Sequence, residues 1–194
     1  MIGMHIRPTV VFVVLVALGV ASRVIQEVVP SIPPNFHAVT AIAMFAGFYF
    51  ARRWVAAAVP IAAMIFSDFW IGGYEREVML VVYSSLLLPV LFRSILRTRM
   101  NTARITASAL ICSVFFYLVT NLAVWHVWYE HTWTELGHCY LVALPFLAYS
   151  IAGDLAYSLG LFGAYQLATG RCAQTAMRKQ ITPQAARPAT AALG

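Results

Sequence analysis

Apolar residues in this chain run in long unalternated blocks, broken by short clusters of arginine, glutamate, proline and glycine. A helix that crosses a bilayer needs about 20 such residues, within a range of roughly 17–25, and six blocks qualify. They cover residues 8 to about 25, 35–52, 54 to about 72, 78–92, about 102 to 128, and a final stretch at 136–170. Pro8 sits where a helix tolerates proline, in its first turn. The last block is too long for one straight span at about 1.5 Å per residue. Thr132-Trp133-Thr134-Glu135 fits a capping box, so a short outer helix is expected there, handing over near Pro145 to the final span.

The expected fold is therefore an all-α integral membrane protein, a bundle of six transmembrane helices over residues 1–172. The polar, Ala/Pro-rich residues 173–194 are expected to form a disordered tail. Composition agrees: 61% of residues are hydrophobic and 10% charged, against about 25% charged in an ordinary soluble domain. Charge then sets orientation. With the N-terminus inside, Arg7, Arg52, Arg53, Arg93, Arg97, Arg99, Arg104, Arg171, Arg178, Lys179 and Arg187 all lie on the inner side, leaving Arg23 and Arg76 outside. Inner loops carry the excess of Lys and Arg, so both termini are placed in the cytoplasm. The net charge of +6 reflects that orientation, which argues against nucleic acid as a partner. A competing reading treats "MHIRPTVVFVVLVALGVASR" as a signal peptide, with "VAS" as its small-residue cleavage site. Its apolar core is long for that role, and cleavage would leave five spans. Cys112, Cys139 and Cys172 share no metal-ligand spacing, and their odd number gives no disulfide framework.

This topology gathers scattered polar residues on the outer half. Asn35 and His37 open the second span, Asp68 lies in the outer third of the third, and Asn121 and His126 lie at the outer end of the fifth. Part of the aromatic content is the interface belt that Trp and Tyr form on their own account. Asp68 and Asn121 would sit below that belt. Ionisable residues at that depth face a bundle interior or a water-filled cavity and have a partner. Two roles remain open for Asp68: a packing lock, or a place in an outward-opening pocket with a few convergent polar groups. In the second, Asp68, Asn121, Asn35 and His37 supply polarity and Trp70, Tyr83, Trp125 and Tyr129 the walls, with His126 beside them. Asp154, near mid-membrane in "AYSIAGDLAYSLG", reads as an interhelical hydrogen-bond acceptor or as a coupling group. No HExxH, CxxC, GxSxG or P-loop pattern occurs, so enzymatic activity is not expected. His126, His131 and His138 are spaced by five and seven, which is no single-face ligand pair, and no metal site is assigned.

The stretches "PPNFHAVTAIAMFAGFYF", "VPIAAMIFSDFWIGGY", "VTNLAVW" and "ALPFLAYSIAGDLAYSLGLFG" resemble a family of uncharacterised bacterial six-helix membrane proteins. That family is similar in size and topology to the substrate-binding S components of energy-coupling-factor (ECF) vitamin transporters. The resemblance implies a bacterial inner-membrane protein with an S-component-like bundle. It further implies capture of a vitamin- or cofactor-like molecule from outside, with a corrinoid as one candidate ligand and no intrinsic cofactor. It implies partners too: the bilayer, a coupling subunit meeting the small-residue pattern Ala17 to Ala21, and separate ATPases. The alternative is an accessory subunit of a larger respiratory or photosynthetic membrane complex.

Overall fold

The computed structural model describes residues 7–98 and 100–181. Residues 1–6 and 182–194, and with them the start of the signal-peptide reading and most of the expected tail, lie outside the described residues, as does Arg99. The described residues form helices α1 (Pro8–Val28), α2 (Val39–Tyr49), α3 (Arg53–Ile71), α4 (Arg76–Ser85), α5 (Leu88–Leu91), α6 (Arg93–Thr98), α7 (Thr102–Trp128) and α8 (Trp133–Ile181). Five segments are long and apolar enough to cross a membrane: α1, α3, the α4–α6 series, α7 and α8 as far as Gly170. A multi-pass membrane protein follows. The linkers at 29–38, 72–75 and 129–132 cluster with the glutamates at one end of the bundle, here the acidic end. Arg52, Arg53, Arg93, Arg97 and Arg104 mark the opposite, basic end.

The second expected span is the exception. α2 has 11 residues, a rise of only about 16 Å, and nine of them are buried. Helix formation stops short because Pro33 and Pro34 precede it and Asn35 adopts φ 63°, a left-handed conformation that asparagine tolerates better than most residues. α2 instead serves as the core. Ile42, Met44 and Ala46 are inaccessible to solvent, and its aromatic face meets α8 where Phe45 packs edge-on to Phe162 at 5.2 Å and to Tyr165 at 5.5 Å. α1 and α3 run parallel beside it. Gly19 permits their close approach, since a Cβ there would come within 2.8 Å of Ala63 Cβ.

Three further expectations are corrected. The fourth span is not one helix but α4, α5 and α6 in series. Ser84 and Ser85 donate to the carbonyls of Leu80 and Val82 at 2.6 and 2.7 Å, and Pro89 supplies no N–H to the ladder; both weaken helix continuity. Conversely, no break occurs near Pro145: α8 runs through it. Tertiary packing holds that part of α8 along α7, where Tyr140 donates to Leu118 O and Tyr117 to Tyr140 O, each at 2.6 Å. Helix also persists beyond residue 172, to Ile181.

Candidate functional site

A cavity of about 430 Å³ opens at the acidic end, over the N-terminal end of α2. α1 contributes Arg23, and the 29–38 linker contributes Pro34, Asn35 and His37. Met64 of α3, Tyr74, and Val78, Val82 and Leu86 of the fourth span form one wall. Phe116, Thr120, Asn121 and Val124 of α7, Tyr129, and Cys139, Val142, Ala143 and Phe146 of α8 form the other. Four of the residues expected to form a pocket, Asn35, His37, Asn121 and Tyr129, are thus brought together from three separate parts of the chain.

Asp68 stands one layer behind them and is almost fully buried. Its partners are not Asn121 and His37, as expected, but Arg23 and Tyr83. Arg23 Nη1 meets Asp68 Oδ1 at 2.5 Å and also Ser67 Oγ at 2.5 Å, and Tyr83 donates to Asp68 Oδ2 at 2.7 Å. Charge pairing with full hydrogen bonding offsets the cost of placing a carboxylate at this depth. Sequence reasoning missed Arg23, and with it Tyr74 and Thr120 of the lining, although a signal for Arg23 existed. Pro8 to Arg23 and Arg53 to Asp68 are both steps of 15 residues on helices running the same way, so the two charges lie at one depth.

The other expected site residues lie elsewhere. Trp70 is 76% exposed and lies in a shallow apolar groove on the outside of α1 and α3, with Ala17 and Ala21. Trp125 Nε1 donates to Glu130 O at 3.1 Å. His126 stacks on His131 with ring centroids 4.9 Å apart, so both residues brace the 129–132 linker outside the cavity. Asp154 takes a hydrogen bond from Ser113 Oγ at 2.6 Å, with Thr40 of α2 close to the same carboxylate. That ties α7, α8 and the start of α2 together. Among the described residues no group of three His, Cys, Asp or Glu side chains is placed to hold a metal ion.

A family model described as a family of unknown function (DUF6580) matches residues 4–178. The chain belongs to that family. No curated protein and no solved structure matches it.

In this DUF6580 protein the cavity carries polarity without net charge. The Arg23 cation is balanced by Asp68. Burial, aided by the Arg23 charge, pushes the His37 imidazole down to about 4, so the ring is neutral near pH 7. Burial and the nearby Asp68 charge push the Tyr74 phenol up to about 12, leaving it a hydrogen-bond donor. Several polar groups remain unused. The Asn121 amide N–H₂ is bound to Tyr117 O at 2.8 Å, and its side-chain carbonyl oxygen has no partner among the described residues. His37 Nδ1 is buried with no partner among the described residues. Among the described residues Arg23 bonds through Nη1 alone, so Nε and Nη2 have no partner there.

Two outcomes follow. Arg23→Ala and Asp68→Ala should each lower unfolding stability in detergent by about 3–5 kcal/mol, because each strands a buried charge. The combined Arg23→Ala/Asp68→Ala variant should lose much less than the sum; strict additivity in this double-mutant cycle would contradict the pairing. Second, His37 has a folded pKa below its unfolded value, so its contribution is intact above about pH 6.5 and declines as pH falls toward about 4. The slope is at most about 1.4 kcal/mol per pH unit, since the unfolded chain takes up a proton the folded one refuses. Melting temperatures across that window should fall less for His37→Gln than for wild type, and parallel curves would refute the assignment.

Proposed function

We propose that the protein is the substrate-capturing subunit of a membrane uptake system, taking a compact, uncharged, ring-bearing molecule of the vitamin or cofactor-precursor kind into the cavity at the acidic end. The observation that carries this is the set of polar groups with no partner among the described residues, Arg23 Nε and Nη2 and the Asn121 carbonyl oxygen, on a mostly apolar cavity of about 430 Å³. Ligand pockets are commonly about 300–1,000 Å³, mostly apolar, with a few placed polar groups that fix orientation. Neutrality of the ligand follows from the site's own balance. An added anion or cation would be desolvated beside a pair that already cancels, at a cost of several kcal/mol. The volume favours a single or fused ring over a corrinoid, whose macrocycle and side arms exceed it.

The positive-inside rule supports an outward-facing acidic end, with the Arg-rich end and both termini in the cytoplasm of a bacterial inner membrane. This is the arrangement expected of a protein that works as ECF S components do. No nucleotide-binding motif occurs in the chain, so an ATP-driven step belongs to separate subunits. The groove holding Ala17 and Ala21 is the face offered to a coupling subunit.

Mass spectrometry of small molecules released from gently purified protein tests this reading. A neutral ring compound should be retained by wild type and lost in Asn121→Ala, which removes a cavity group without touching the Arg23–Asp68 pair. An empty wild type that copurifies in fixed stoichiometry with other membrane subunits would replace this reading with that of an accessory subunit.

A further inference from the structure

A second groove, independent of the outer cavity, lies at the basic end between α3 and the α5–α6 break, with a volume of about 320 Å³. Two guanidinium groups, Arg53 and Arg93, line it together with the Ser94 hydroxyl. Its apolar side is formed by Ala57, Leu87 and Leu91, and Leu91 is 64% exposed.

Neither cation has a carboxylate partner among the described residues. Five of the chain's acids, Glu27, Glu75, Glu77, Glu130 and Glu135, stand at the acidic end, Asp68 is taken by Arg23, and Asp154 is held by Ser113. Arg53 makes no hydrogen bond or ion pair among the described residues. Arg93 spends one on Ala51 O at 2.9 Å. The neighbouring Arg52 is directed differently: its guanidinium sits 5.7 Å from the Trp54 ring and it lines the groove on the other side, with Phe12 and Tyr165. Consecutive arginines at the head of α3 therefore serve two surfaces, and the one between α3 and α5–α6 gathers a second arginine and a hydroxyl over an exposed leucine track.

We propose that this groove holds one anionic phospholipid, its phosphate between Arg53 and Arg93 and one acyl chain along Leu87 and Leu91. Basic pockets between helices, at the depth where headgroups lie, recognise lipids in this way. Leu87, Leu91 and Ser94 stand at i, i+4 and i+7, one face of the fourth span, and Arg93 joins them just past the break at Phe92.

Native mass spectrometry of the full chain, titrated with phosphatidylglycerol and with phosphatidylcholine of the same acyl chains, tests the proposal. Wild type should retain phosphatidylglycerol in preference, and Arg53→Gln should cut that preference about fivefold, the factor that one headgroup-facing arginine supplies. Arg53 is the informative position because nothing else in the fold leans on it. Arg76→Gln, at the acidic end, should leave the preference unchanged. Millimolar inorganic phosphate should fail to displace the lipid. Equal retention of the two lipids, a preference that Arg53→Gln leaves undiminished, or displacement by phosphate alone would overturn the proposal, the last by showing a site for a soluble anion.

Discussion

The fold turns on a helix that is too short. α2 would need roughly twice its 11 residues to cross about 30 Å of hydrocarbon, so its terminal N–H and C=O groups end among other helices. Unsatisfied backbone groups cost several kcal/mol each where water is excluded, and the surrounding elements are arranged to prevent that. At the N-terminal end the Ala38 N–H is taken by Ser22 Oγ at 3.0 Å, and Asp154 stands beside Thr40. At the C-terminal end Arg97 donates to the carbonyls of Phe48, Tyr49 and Phe50, and Arg93 to that of Ala51. Cations at the C-terminus also match the helix dipole. α1, α6 and α8 are each bound to α2 through these contacts, and the volume that a full-length helix would have filled becomes the 29–38 linker and the cavity.

The Arg23–Asp68 pair builds on that frame. It joins α1 to α3, and Tyr83 extends the link to α4. Arg23 has two faces: one side of the guanidinium is neutralised against Asp68, the other lines the cavity. A site of this kind presents directional donors without an unbalanced field. That is the physical ground for assigning it an uncharged ligand held by hydrogen bonds and apolar contact.

The long apolar blocks made the membrane class and five of the spans legible, because hydrocarbon thickness leaves little freedom in helix length. Asn35, His37, Asn121 and Tyr129 were legible as a group because polar residues at depth have few places to face. The residues that failed did so for particular reasons. Trp70 was given a pocket role on polarity and depth alone, and its position on α3, two residues past Asp68, turns it to the outside of the bundle. Arg23 was counted as an orientation charge, and nothing in a charge census pairs it with Asp68 unless the depths of two helices are compared. The shortness of α2 was hidden by an apolar run that continues through Phe36 and Ala38, where backbone conformation at Asn35, not hydropathy, sets the boundary. The break after Ser85 depended on serine back-bonding, which periodicity does not register.

The central claim is that the space over the N-terminal end of α2 is a ligand site. An experimental density map of wild-type protein, purified gently enough to keep what it carries and held by a rigid antibody fragment, addresses it directly. The account predicts compact non-protein density bounded by Arg23, His37 and Asn121, with the Arg23–Asp68 contact intact behind it. A cavity closed by movement of the 29–38 linker onto α7, or occupied by a lipid acyl chain that touches none of those three side chains, would contradict it.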